Sequence, residues 1–281
     1  MKKTQTAILA VLMACFTFAL PAAAEVNSDD HNILLRGALG GGRILWAHVN
    51  HGSGSGDLGT GPGGVFNFAG MYGYRFLGVE GNLMVGNIST LEWSDEDNGG
   101  VSHDWESDGS GYYSVFDLKI GARLFISPGD MGYTFIYAGL RTWSTERDES
   151  SLTFDGVKYS TEYKYKANGG GWILGFRDFS TIGANNGFAI VVQSGLFFGK
   201  APLDKITRNG EDMTQEENET LTLGGELAGG VALQDRGISL IGGFRGEINM
   251  TTFFDSVPTG DDESVFGFGN IVFFVEAGVM F

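Results

Sequence analysis

From 270 to 281 the chain alternates without a break. Ile271, Phe273, Val275, Ala277, Val279 and Phe281 share one parity, and Asn270, Val272, Phe274, Glu276, Gly278 and Met280 share the other. One face is wholly apolar and the other mixed. Successive side chains of a strand point to opposite sides, so this period predicts a strand between an apolar medium and a narrow polar space. A helix is excluded here, because 3.6 residues per turn would scatter the apolar set around its circumference.

The same period recurs through the chain, which predicts strands at 33–49, 65–74, 78–93, 112–126, 133–143, 171–179, 188–200, 221–233, 238–250 and 270–281. Glycine occurs 46 times, spread through these segments, and proline only 5 times. Glycine every few residues contradicts long helices and suits tightly curved sheets. Short connections at 75–77, 127–132, 181–187 and 234–237 alternate with long polar ones at 51–64, 94–111, 144–170, 201–220 and 255–265. That alternation is the rule for transmembrane barrels, with tight turns on one side and long loops on the other. The expected fold is therefore all-β, a single antiparallel up-and-down transmembrane barrel of ten strands. Eight would follow if the weakly patterned first strand or the strand at 171–179 is misread. Twelve would follow if 152–166, with its Asp155-Gly156 hairpin signal, adds a pair.

The first 24 residues read as a cleaved signal peptide. Lys2 and Lys3 precede an apolar run from 7 to 20, and Ala22-Ala23-Ala24 offers a small-residue cleavage site before Glu25. The mature part, 25–281, is then one barrel with long acidic loops and no soluble domain. The only cysteine, Cys15, lies in the signal segment, so the mature chain has no disulfide or thiol chemistry. With Lys2 and Lys3 removed, 16 basic residues face 34 acidic ones, a net charge of −18 that disfavours nucleic acid. An aromatic content of 13% excludes a disordered acidic chain. No segment after the signal has the uncharged run a membrane helix needs, so a membrane protein here must be a barrel.

If the apolar faces meet lipid, the opposite faces place Glu80, Asn82, Asp117, Lys119, Arg123, Arg177, Gln193, Glu226, Arg245, Glu247 and Glu276 in the lumen. Arg141 joins them only if Tyr133, Phe135 and Tyr137 also face inward, which the period alone leaves open. An interior of eight to ten strands is just wide enough for side chains, so these charges are expected to pair across it, as a polar core or as the lining of a narrow pore. Aromatic girdles are expected from Tyr72, Tyr74 and Phe76 on the turn side, and from Trp46, Trp93, Tyr112, Trp143, Phe253 and Phe254 on the loop side. The loops carry acidic runs at 95–97, 104–108, 146–149, 216–217 and 261–263. These read as a solvated face, although divalent cations would bridge them to lipopolysaccharide. His48, His51 and His103-Asp104 are the candidates for acid/base or metal work. No defined calcium loop, H-E-x-x-H or G-x-S-x-G pattern accompanies them.

The segment Met71-Tyr72-Gly73-Tyr74-Arg75-Phe76-Leu77-Gly78-Val79-Glu80-Gly81 resembles the G-Y-R-F…V-E-G hairpin of small outer-membrane barrels of the opacity-protein type. The last strand is similar to theirs as well: Phe281, preceded by Val279 and Ala277, matches the terminal aromatic signal that the barrel assembly machinery reads. The resemblance implies the outer membrane as location, and outer-membrane lipids and lipopolysaccharide as surroundings. Its members include structural proteins, adhesins and narrow channels, so it implies little about activity. The expected function is a non-enzymatic surface barrel with a closed or nearly closed lumen, monomeric, with no cofactor, catalytic or metal residue. A narrow solute or ion channel is the alternative. An outer-membrane hydrolase is the third reading, since ten strands resemble the omptin proteases, but those need an acidic pair facing an Asp-x-His pair, which this chain is expected to lack, His103-Asp104 having the wrong order and spacing.

Overall fold

A computed structural model describes residues 31–50, 55–96, 100–124, 133–182, 187–200, 203–212, 219–235, 238–254 and 264–280. Residues 1–30 (the expected signal peptide among them), Phe281 and parts of several connections lie outside the described residues. The strands are β1 (His31–Asn50), β2 (Ser55–Tyr74), β3 (Leu77–Glu96), β4 (Ser102–Leu124), β5 (Tyr133–Phe154) and β6 (Val157–Ile182). They continue with β7 (Phe188–Lys200), β8 (Leu203–Arg208), β9 (Glu211–Asp212), β10 (Glu219–Asp235), β11 (Ile238–Phe254) and β12 (Ser264–Met280).

Each strand pairs antiparallel with the next around the ring, β7 passes directly to β10, and β12 returns to β1 over a ladder from Asn50↔Ser264 to Leu34↔Met280. The result is a closed barrel of ten strands. Closure leaves no free edge in the ten-strand ring, which is the condition for placing its backbone in hydrocarbon. The remaining two strands extend the β7–β10 hairpin. β7 pairs with β6 up to Trp172↔Lys200, β8 resumes on the same strand at Gly169↔Leu203, and β9 folds back onto β8.

The expected long loops are in large part strand. β3 and β4 stay paired to Glu96↔Ser102, and β5 and β6 to Phe154↔Val157, where Asp155-Gly156 makes the turn. Asp155 (φ 46) and Gly156 (φ 80) are both left-handed, as are Asn209 (φ 52) and Gly210 (φ 84) at the β8–β9 turn. Two consecutive left-handed residues are what a type I′ turn requires. The Asp155-Gly156 signal thus marks the tip of an existing hairpin, and no added pair forms. Irregularities in the ladder fall at Thr60/Gly63, Ile88/Thr90, Asp108/Gly109 and Glu149/Ser151. They run across neighbouring strands, and beyond them the outward face of the hairpins is mostly polar, with Val157 and Tyr159 as exposed exceptions near the β5–β6 tip. Bulges of this kind bend a sheet locally.

Below that line the outward face is a predominantly apolar belt. Leu39, Phe66, Phe68, Leu83, Phe116, Ile120, Leu140, Leu196, Leu227, Phe244, Ile271 and Phe273 are all exposed, Phe244 by 67% and Leu227 by 65%. Large apolar side chains at such exposure on every strand are unfavourable in water and favourable in lipid. Tyr72 and Tyr74 lie at its turn-side end.

Candidate functional site: the ionic layer of the lumen

Inward residues of a strand recur every second position, so each barrel strand delivers a few side chains to one closed space. At its middle, Asp117 of β4 accepts a two-pronged contact from Arg141 of β5, Nε at 2.7 Å and one terminal nitrogen at 2.8 Å. Lys119 lies 3.2 Å from Asp117 Oδ2 and 3.2 Å from Glu80 Oε1. Glu80 Oε1 also accepts from Arg177 at 2.7 Å, and Arg177 Nε in turn donates to Glu226. Gln193 Nε2 donates to the other oxygen of Glu226 at 2.8 Å. Arg36 donates to Tyr133 Oη at 2.9 Å and to Gln193 at 3.4 Å, and stands 3.6 Å from Glu276, which Arg245 approaches at 3.2 Å.

The chain of contacts therefore runs unbroken from Arg245 to Arg141 and crosses the barrel. Among the described residues it draws on every barrel strand except β2. Its members are buried: Asp117 is 0% and Lys119 2% exposed, and the side chain of Glu226, the most open, only 12%. Charges in such a place are tolerable only when paired and hydrogen-bonded, and here each carboxylate meets at least one cation. Aromatic rings fill the remaining faces of the cations, with Arg141 3.8 Å from the centre of Phe197, Arg245 4.7 Å from Phe274 and Lys119 4.8 Å from Tyr137.

Apolar layers lie on both sides of the ionic one. Toward the loops, Ile44, Met84, Ile88, Tyr113, Trp143 and Phe268 are buried against one another, with Tyr113 and Phe268 ring centres 4.9 Å apart. Toward the turns, Phe135, Phe179, Val191 and Ile241 do the same, and the gap beside Gln193 and Glu276 does not admit a sphere the size of water. Glycine makes room for the large rings. A Cβ on Gly86 would lie 2.2 Å from the Tyr113 ring, and one on Gly224 2.2 Å from Phe197.

Glu80, Asp117, Lys119, Arg177, Gln193, Glu226, Arg245 and Glu276 all enter this network, as their parity predicts. Asn82 is buried on the same side. Arg123 is buried toward the turns, its stem against Gly78, and Glu247 is half-buried on the inward face. Tyr133, Phe135 and Tyr137 face inward, and Arg141 joins the set with them. Arg36 is a full member that the sequence pattern does not single out, although it falls on the parity opposite Ile33, Leu35 and Leu39. Two girdle assignments are overturned. Trp46 (5%) and Trp143 (4%) are buried in the lumen, on the inward parity of β1 and β5, whereas Tyr112 is exposed as expected. The side chains of Trp93, Phe253 and Phe254 lie outside the described residues, as do the side chain of His48 and the whole of His51.

At the rim, His103 is joined to Asp155 rather than Asp104, with Nδ1 donating at 2.8 Å. Asp155 Oδ1 also accepts from the Asp104 amide at 3.0 Å, and the Asp155 amide donates to the Asp104 carbonyl at 2.9 Å. The pair thus fastens the tip of the β5–β6 hairpin to β4. It holds the Asp155 carboxyl below its ordinary range, chiefly through the His103 hydrogen bond and then the Asp104 amide. An Asp-x-His order does occur, at Asp29-Asp30-His31. His31 lies at the turn-side end of β1, bonded to Tyr72 Oη at 2.6 Å, away from the loops.

No protein-family model matches the chain, and no curated protein does. Among solved structures, the chain is similar in outline to the outer membrane protease OmpT of Escherichia coli (11% identity, 91% of this chain and 98% of that one, TM-score 0.42). It is also similar to the translocator domain of the autotransporter NalP of Neisseria meningitidis (12% identity, 98% and 97%, TM-score 0.36). A third is the Pseudomonas putida toluene transporter TodX (9% identity, 92% and 92%, TM-score 0.25).

Proposed function

We propose that this protein is a non-enzymatic barrel of the outer membrane, with its lumen closed by the ionic layer and its extended hairpins offering a surface for contact. The observation that carries this reading is the unbroken chain from Arg245 through Glu276 and Arg36 to Tyr133, whose hydroxyl donates to Glu80 Oε2 at 3.4 Å, and on through Lys119 to Asp117 and Arg141. A conducting path would have to separate these pairs or the apolar layers beside them, and separating a buried pair leaves an uncompensated charge. The apolar belt supports the membrane setting. Lipopolysaccharide is the expected neighbour of the polar outward wall of β4, β5 and β6, where Lys158–Asp108, Lys164–Asp148 and Lys166–Glu146 pairs stand.

The purified, refolded protein should show heat-modifiable mobility on gels and a β-rich circular dichroism spectrum. In liposome-swelling assays with a small sugar and a small amino acid, it should admit solute no faster than protein-free vesicles. Rapid swelling would favour the channel reading instead.

A further inference from the structure

The apolar belt is interrupted at Asp178. This residue has the outward parity of β6, with Trp172, Phe176 and Ile182, and is half-buried. One carboxylate oxygen accepts from the Thr134 hydroxyl of β5 and the other from the Ser180 hydroxyl at 2.7 Å. Across the ladder Asp178 faces Ser194 of β7, also outward and half-buried. Ser194 is flanked along its strand by exposed Ile190 and Val192 on the turn side and by exposed Leu196 and Phe198 on the loop side. Ser194 and its ladder partner Asp178 are therefore inside the belt, and Thr134 reaches them from the turn-side end of β5. Beside it the outward face of β5 is low in relief, with Thr134, Ile136 and Ala138 all half-buried.

Hydrocarbon can solvate neither a carboxylate nor a hydroxyl, so an ionisable group on a lipid face is unfavourable unless another polar surface meets it. Two hydroxyl donors leave a carboxylate with acceptor sites to spare. We propose that the β5–β6–β7 face around Asp178 is an interface between two copies of this chain. The occupant follows from complementarity. A two-fold axis along the membrane normal brings patches of equal depth together, and a self-complementary patch needs acceptors and donors side by side. Asp178, held in place by the Thr134 and Ser180 hydroxyls that already donate to it, supplies the acceptor, and Ser194 beside it supplies a hydroxyl that turns to suit. A lipid chain supplies neither, and a headgroup lies at the belt's margin. The inference rests on the membrane setting proposed above, and replaces the monomer expected from the sequence.

The mature chain has no cysteine, so single cysteines report contact cleanly. Ser194→Cys, with Val275→Cys on exposed β12 as control, is reconstituted in liposomes and oxidised, with heat-modifiability read on the same sample. The expected result is a dimer band for Ser194→Cys and none for Val275→Cys. Adding Asp178→Leu, which suits a lipid face and leaves the barrel intact, should lower the dimer yield about tenfold, the worth of one hydrogen bond to a charged group. The interface is overturned if heat-modifiable, inserted Ser194→Cys gives no dimer, if Val275→Cys links equally, or if Asp178→Leu changes nothing. Loss of insertion and heat-modifiability in the protein without substitutions would instead defeat the membrane setting itself.

Discussion

At the scale of the residue, Asp117 is where the ionic layer is most exposed to a single change. Its carboxylate meets Arg141 and Lys119 at once, and all three are buried. Asp117→Ala should lower stability by about 3–5 kcal/mol, because it leaves buried cations short of a partner. Replacing Asp117 and Arg141 together by Leu and Met should recover much of that loss. Urea unfolding in detergent micelles reads both; a change below about 0.5 kcal/mol for Asp117→Ala would mean the pair is solvated. Gly86→Ala should cost about 1–3 kcal/mol by overpacking against Tyr113, while Gly229→Ala, with nothing within 4 Å of its added Cβ, should be nearly neutral in the same assay. Parity alone makes Glu80, Lys119 and Arg245 legible as lumen residues. Arg36 escapes it because Gly40-Gly41-Gly42 interrupts the alternation nearby, and Trp46 and Trp143 escape it because an aromatic near a strand end reads the same on either parity.

At the scale of the element, the β5–β6 hairpin shows why strands are legible in the belt and not above it. Alternation is imprinted by lipid on one side of a strand. Beyond Tyr112 both faces of β4, β5 and β6 carry polar residues, so the period fades while the backbone ladder continues to Phe154↔Val157. Within the belt the parity of β5 is undecidable from sequence, since Tyr133, Phe135 and Tyr137 oppose Thr134, Ile136 and Ala138, and neither set is polar enough to mark the lumen. The hairpin tip makes a prediction of its own. The carboxyl of Asp155 is held low, so its contribution is fully present above its ordinary value and is lost as pH falls through the lowered one. Hydrogen exchange at the Asp104 amide should therefore stay slow at neutral pH and accelerate only below the ordinary carboxylate range. Asp155→Ala should give the fast rate at every pH, and an amide indifferent to both would show that the tip is not fastened this way.

At the scale of the whole molecule, function follows from what fills the ring. Ten strands enclose a space that side chains can occupy completely, and here an ionic layer lies between two apolar ones. The barrel, its strand number and its charged interior are readable from alternation and from short and long connections. The network of contacts is not, because a one-dimensional parity says which residues share a space and not which of them touch. Arg141→Ala removes the two-pronged contact to Asp117 and should open transient conductance at high voltage, while the native chain stays silent. The most direct test is single-channel recording of the native protein in planar bilayers. The closed-lumen account predicts no steady current across the accessible voltage range, and a steady ohmic conductance would contradict it.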